Sequence, residues 1–388
     1  METDMPRSNS RRFDFALTLC SIGILALSIA AGTLPAAGQT ASFVGLGQMP
    51  GAGQGDGSYA TAISADGSTI VGYAWVCPNG APSCESTGKT EAFRWTGAGK
   101  FQVLGDLGSS IGSMALATSS TGAVVAGDAP KGDNSFGSFR WTVAKGIAAL
   151  PAKLFFGSAV IADGTMVAGG DFWWNTSGAI GKFGPFPGNQ DQTQTYGLAG
   201  TSAAPIAVGA ALKGSDLNGA TFHAFRWTPA SGLQDLGLTT GTQSIAIAIS
   251  GDGTVVVGEA TDASGFWRAF RWTASTGMVD IGTLGGPESA AYAVNQDGSV
   301  IVGTALSSEL SDSNESFIWT ASTGMQDLRT VLQSNGVHSA DTWVTLESAT
   351  GVSADGTVIT GYGQSPRTGK FPFGVFTPYR AVVPTPGR

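Results

Sequence analysis

The sequence predicts an all-β fold: a seven-bladed β-propeller of four-stranded antiparallel blades, with the last blade closed by the N-terminal strand. Three observations carry this expectation. A Phe-Arg-Trp-Thr segment recurs about every 47 residues. A hairpin-forming Asp-Gly element precedes the copies, and a Leu-Gly element follows them.

The first element is clearest as Phe93-Arg94-Trp95-Thr96, Phe139-Arg140-Trp141-Thr142, Phe225-Arg226-Trp227-Thr228 and Phe270-Arg271-Trp272-Thr273. Looser copies are Phe172-Trp173-Trp174, Phe317-Ile318-Trp319-Thr320 and Gly374-Val375-Phe376-Thr377, which makes seven. The second element is clearest at 249–258, where β-branched runs flank Ser250-Gly251-Asp252-Gly253; such a pattern forms a tight hairpin. The third is Gly232-Leu233-Gln234-Asp235-Leu236-Gly237 and its siblings, one more short strand. Four short strands per unit make a propeller blade, which must stack on its neighbours to bury both faces. The seventh unit has no Leu-Gly strand after it. An orphan one, Phe43-Val44-Gly45-Leu46-Gly47, starts the mature chain, so the count closes only if this strand completes the last blade.

The domain reading is a secretory signal segment at 1–38, the propeller at 39–380, and a Pro-rich tail at 381–388. Arg7, Arg11 and Arg12 precede an apolar run at 13–34, followed by Pro35 and the small residues Ala36-Ala37-Gly38. Arg11-Arg12 hints at twin-arginine export, and an uncleaved anchor is the alternative to cleavage. The expected location is extracellular, cell-surface or periplasmic. The 388 residues include 58 Gly and only 12% charged residues, which excludes disorder and fits many turns. The net charge is −8, and the signal segment carries as many acidic as basic residues. An acidic, Lys-poor chain is a poor partner for nucleic acid or anionic membranes.

Cys20 falls in the signal segment, which leaves Cys77 and Cys84 to form a disulfide in an exported chain. Two thiols without nearby His make no metal site, and no metal or cofactor is expected. Alternation places Phe and Trp of each copy on one face and Arg on the other. Arg226 with Asp235, and Arg271 with Asp280, are nine residues apart and are expected to pair across neighbouring strands. The Asp-Gly aspartates read as turn formers, since one carboxylate per hairpin gives too few oxygens for calcium.

The recurring Ser-x-Asp-Gly-x-x-Val-Gly, Ala-Phe-Arg-Trp-Thr and Leu-x-x-Leu-Gly resemble the HAF family of probable extracellular repeat proteins. The resemblance covers nearly all of the chain after the signal segment and is most specific over 249–282. It implies bacterial secretion or surface location and a repetitive β-fold, and it carries over no catalytic residue.

Calling the strands of a blade A to D, the A–B and C–D turns are short and share one rim. The B–C loops and D-to-A crossovers are long and irregular and share the other, where a ligand face is expected. Candidate ligand-binding residues there are Tyr73, Trp75, Phe266, Trp267, Arg268, Asp312 and Trp343, with Glu315 and His338 as further candidates. The expected function is a monomeric binding module for a carbohydrate or an extracellular protein. The first alternative is a polysaccharide hydrolase or lyase using carboxylates such as Asp128, Asp133, Asp262, Glu309 and Asp312. The second is a structural surface or matrix component. His223 and His338 are the only histidines, and no nucleophile elbow is present, so no catalytic residue is assigned.

Overall fold

In the computed structural model the described residues are 39–384, apart from 53–56, 78–87, 98, 134, 136, 152, 155–156, 158, 188, 190–191, 215–220, 308–309 and 367–373. The expected signal segment, Cys84 and Glu309 therefore lie outside the described residues, as does the side chain of Asp312.

Seven four-stranded antiparallel sheets form. Blade 1 is β2 (Ser58–Ile63), β3 (Thr69–Val76), β4 (Lys89–Thr96) and β5 (Lys100–Val103). Blade 5 repeats it as β18 (Ser244–Ile249), β19 (Val255–Thr261), β20 (Trp267–Thr273) and β21 (Gly277–Asp280). Blade 7 is β26 (Ser348–Val352), β27 (Val358–Gln364), β28 (Phe376–Val382) and, as its outermost strand, β1 (Ser42–Gly45). Phe43 pairs with Ala381 and Gly45 with Tyr379, so the orphan strand closes the ring as expected. The register corrects the seventh repeat. Gly361 faces Tyr379 as Gly72 faces Phe93, so the true copy is Tyr379-Arg380-Ala381-Val382 and not Gly374-Val375-Phe376-Thr377. The strand runs to Val382, past the expected start of the tail, and Val383 is still buried.

The repeated aromatics are blade scaffold. Phe93, Phe139, Phe225, Phe270, Phe317 and Tyr379 are fully buried. Val71 and Ala92 of blade 1 pack with Phe139 and Trp141 of blade 2 in one core cluster, so each interface joins two blades. Each such ring adds about 1.5–3 kcal/mol of burial. Tyr379 keeps its hydroxyl satisfied by Ser316 Oγ at 2.8 Å and by donating to the Ser348 carbonyl. Blade 3 is the decayed one: its inner strand β10 (Ala159–Val160) has two residues, and Phe172 is only half-buried.

The glycine of strand B has a steric cause. A Cβ on Gly72 would lie 1.9 Å from the Tyr59 carbonyl oxygen and 2.8 Å from the Phe93 ring. On Gly361 it would meet Ser348 O at 1.9 Å and the Tyr379 hydroxyl at 2.5 Å. The offending carbonyl belongs to strand A just before a β-bulge, which recurs at the same place in six blades.

The expected Arg226–Asp235 and Arg271–Asp280 pairs do not form. Arg226 faces Gln234 and Arg271 faces Val279, one residue off the expected register. That slip puts Asp235 and Asp280 opposite Phe225 and Phe270, on the other face from the arginines. Asp235 instead pairs with Lys213 and His223, and Asp280 with Arg268 at 3.2 Å. The arginines reach sideways. Arg94 Nε donates to Gly122 O at 2.9 Å, Arg140 Nη2 to Gly164 O at 3.0 Å, and Arg380 Nε to Gly67 O at 3.2 Å. Each acceptor is in the A–B turn of the next blade. The turns themselves behave as expected: Asp66 Oδ1 accepts from Ser64 Oγ and the Ser68 amide, and these bonds hold its carboxyl below the usual range. Backbone bonds also link turn to turn, with Ala354 N donating to Ala65 O across the blade 7–blade 1 seam, and Ala65 N to Ser120 O.

Gly72→Ala is expected to cost about 2–3 kcal/mol through overpacking. Gly97→Ala, where a Cβ would meet nothing within 4 Å, is expected to be neutral. Urea unfolding of both variants checks this. Arg140→Met is expected to cost about 1–2 kcal/mol by removing a charge-assisted interblade bond. Arg271→Met should cost less than half of that, because Arg271 Nε has no partner among the described residues.

Candidate functional site

The bulges aim side chains inward. The extra residue of the innermost strand is Thr61, Leu116, Tyr196, Ile247, Tyr292 or Thr350, according to blade, and all six line the central channel. These residues form a girdle shared by two chambers. The upper chamber has a volume of about 620 Å³ and the lower about 260 Å³. The girdle is tied to the blades: Thr61 Oγ1 donates to Ala115 O at 2.8 Å and Thr350 Oγ1 to Ala60 O at 3.0 Å, each across a blade boundary.

The upper chamber is lined above the girdle by Tyr59, where strand A of blade 1 begins, and by Tyr73 and Tyr362, towards the ends of strand B. These strand ends lie on the rim of the B–C loops and crossovers, so the chamber belongs to the long-loop rim. Five of the chain's six tyrosines line it. On the side of blades 7 and 1 the rings form a wall. Tyr59 stacks on Tyr73 at 5.3 Å and on Phe376 at 5.4 Å, and meets Tyr362 edge-on at 5.1 Å. Tyr196 of blade 4 and Tyr292 of blade 6 belong to the girdle. The Tyr196 hydroxyl bonds Gln194 Oε1.

Two carboxylates stand beside these phenols. Glu259 follows Gly258 on strand B of blade 5, the register position that holds Tyr73 in blade 1 and Tyr362 in blade 7. Its charge acts on Tyr196 and Tyr292. Glu347 acts on Tyr292 and Tyr362. Burial pushes Glu259 up to about 7, with the charge of Glu288 adding to it, and burial also raises Glu347. Burial lifts Tyr73, Tyr196 and Tyr362 above the usual phenol range, and lifts Tyr292 to about 12 with the help of Glu259. Among the described lining residues none is Lys, Arg, His, Asp or Glu, so Glu259 and Glu347 act on the phenols without lining the chamber themselves.

Of the residues expected at the site whose side chains are described, only Tyr73 lines this chamber. Trp75 and Phe266 are exposed, at 39% and 43%. Arg268 pairs with Asp280 and donates to Pro287 O, and Trp267 lies half-buried next to it. Trp343 is a core residue, 7% exposed and edge-on to Phe43 at 5.2 Å. The reason is the crossover from blade 6 to blade 7, read as a loop, which holds helix α1 (Leu328–Ser334) and a 3₁₀ turn (Ser339–Thr342) that carry it inward. Asp327 caps the helix by accepting from the Thr330 amide. Glu315 is buried, with one carboxylate oxygen unpartnered among the described residues, and burial raises it to about 7. His338 is on the surface beside Asp341. Of the carboxylates considered for hydrolysis, those described serve local structure: Asp262 accepts from the Ser264 and Phe266 amides, Asp133 from Ser135, and Asp128 from Gly157. Among the described residues no group of three or more His, Cys, Asp or Glu could hold a metal ion, and no helix is long and apolar enough to cross a membrane.

No protein-family model matches the chain, and no curated protein sequence does. Solved structures do match in shape. The β-propeller domain of the Trilobed protease from Pyrococcus furiosus matches with a TM-score of 0.50 at 6% identity, over 84% of this chain and 95% of that one. Its ring is described as an open velcro, whereas here β1 and β28 pair. A streptogramin B lyase matches with a TM-score of 0.45 at 11% identity, over 88% and 97% of the two chains. TolB from Acinetobacter baumannii matches with a TM-score of 0.41 at 12% identity, over 70% of this chain and 62% of that one, so the chain spans less than two thirds of that TolB. At such identities the likeness is one of fold alone.

Glu259 gives a prediction with a definite sign. Its carboxyl is raised in the folded state from 4.5 to about 7. The folded chain thus holds a proton that the unfolded chain releases, and stability falls as pH rises from about 4.5 to about 7. Glu259→Gln should remove about 2 kcal/mol of that loss, measured as the difference between wild-type and variant urea-unfolding free energies at the two ends of the range.

Proposed function

We propose that this chain is an exported binding module that takes a small, ring-containing polar ligand of the carbohydrate class into the upper chamber of its long-loop rim. The observation that carries the reading is the tyrosine-lined chamber itself. Its volume, about 620 Å³, falls in the range of small-molecule sites and suits one to three sugar rings. Flat phenol rings stack on sugar faces and offer hydroxyls at their edges. The chamber is built on the innermost strands, whose pairing fixes its side chains before any ligand arrives. Export is supported by the apolar run at 13–34 behind three arginines, and by the resemblance of the repeats to HAF proteins. A Cys77–Cys84 disulfide would clip the loop after β3 close in sequence to Tyr73.

A glycan array combined with a polysaccharide-turnover screen tests the reading on the exported protein. Saturable binding without product is expected, weakened at least tenfold by Tyr59→Ala and left unchanged by Phe266→Ala. Release of product would replace the module with an enzyme. Silence across the array, or indifference to Tyr59→Ala, would remove the chamber as the site.

A further inference from the structure

We infer that the upper chamber is built for a ligand bearing an organic ammonium group, a protonated or quaternary amine such as an amino sugar carries, held over the Tyr59–Tyr73–Tyr362 wall and neutralised by Glu259 and Glu347. This rests on the reading of the chamber as a ligand site and narrows it to one charge class.

The first support is the wall. Tyr59, Tyr73, Tyr362 and Phe376 form one cluster, with ring centroids 5.1–6.1 Å apart. The negative ring faces of such a cluster attract a cation within about 6 Å, more strongly when water is excluded. The second support is the charge balance. Glu259 faces Tyr196 of blade 4 and Tyr292 and Glu288 of blade 6, and Glu347 faces Tyr292, Tyr362 and Glu315. No cation is among these groups, and none is among the described lining residues of the chamber. Nearby cations are committed elsewhere: Arg268 to Asp280 and Pro287 O, and Arg329 to Ala340 O and Trp343 O. Two half-buried carboxylates without a counter-charge among the described residues are costly, and a bound cation offsets that cost. An anionic sugar would meet them as repulsion, and a neutral one would leave them uncompensated.

The third support is position. The residue after the strand-B glycine is the position that lines the chamber as Tyr73 in blade 1 and Tyr362 in blade 7. Blade 5 places Glu259 there, where blades 1 and 7 place tyrosines, so wall and acid occupy equivalent sites around one ring. Cation entry favours the ionised form of Glu259, so binding releases a proton.

The test compares choline with dimethylbutanol, its analogue with carbon in place of the ammonium nitrogen, by isothermal titration calorimetry of the exported protein. Choline is expected to bind at least tenfold tighter than the alcohol at about pH 8, and to lose about tenfold in affinity by about pH 5.5. The heat should vary with buffer in the sense of proton release. Glu259→Gln should reduce the preference to the part due to the wall and Glu347 and flatten the pH dependence, and Tyr59→Leu should weaken choline without changing the pH profile. Thermal unfolding verifies that each variant is folded, and Glu347→Gln takes the place of any that is not. Equal affinity for choline and the alcohol, or a Glu259→Gln variant indistinguishable from wild type, overturns the inference. If neutral glycans bind while choline does not, only the charge assignment falls. If neither binds, the chamber falls as a site.

Discussion

The structure depends on one steric arrangement repeated around the ring. A large aromatic side chain on strand C lies against a glycine on strand B, and a carbonyl of strand A turns into the space a Cβ would need. In blade 1 these are Phe93, Gly72 and Tyr59 O, and in blade 7 Tyr379, Gly361 and Ser348 O. The carbonyl can turn because strand A carries a bulge just beyond it. Three strands are thereby held in one register, and the same bulge turns an extra side chain towards the axis. Scaffold and site are two outcomes of a single local geometry.

That coupling explains what could be read from the sequence. The blade count, the strand order and the closing strand were legible because Phe-Arg-Trp-Thr, Asp-Gly and Leu-Gly are local patterns with fixed spacing. The Arg–Asp pairing was not. It turned on one residue of register in the C–D turn, and in a strand one residue exchanges faces. The seventh repeat was misplaced for a related reason: Tyr379-Arg380-Ala381 keeps the arginine and the ring but replaces the tryptophan, while nearby Phe376 offers a false match. The chamber was largely hidden, because Tyr59, Tyr196, Tyr292 and Tyr362 are scattered through the chain and occupy three different positions within their blades. The usable signal was the residue after the strand-B glycine, which is Tyr73, Glu259 or Tyr362 in three blades. Exposed aromatics in the long loops drew attention instead, and Trp343 among them proved to be core.

The chamber sets stability against use. Glu259 and Glu347 sit where their charge is poorly solvated, and burial raises both. The scaffold tolerates this because the interblade bonds of Arg94, Arg140 and Arg380, and the turn-to-turn bonds across the seam, lie on the opposite rim from the acids. Strain at the mouth is thus separated from the bonds that hold the ring.

The closing strand has a consequence for how the chain reaches this state. Phe43 is synthesised long before Ala381, the residue it pairs with. Until β1 and β28 pair, β28 has an open edge, and the first and last blades lack their common boundary. Contacts so distant in sequence form slowly, because the loop they close is long. An unpaired strand edge in the meantime can template association with another chain. The ring therefore has a vulnerable period between synthesis and closure, during which one short strand, Ser42–Gly45, decides whether a chain seals itself or pairs with its neighbour.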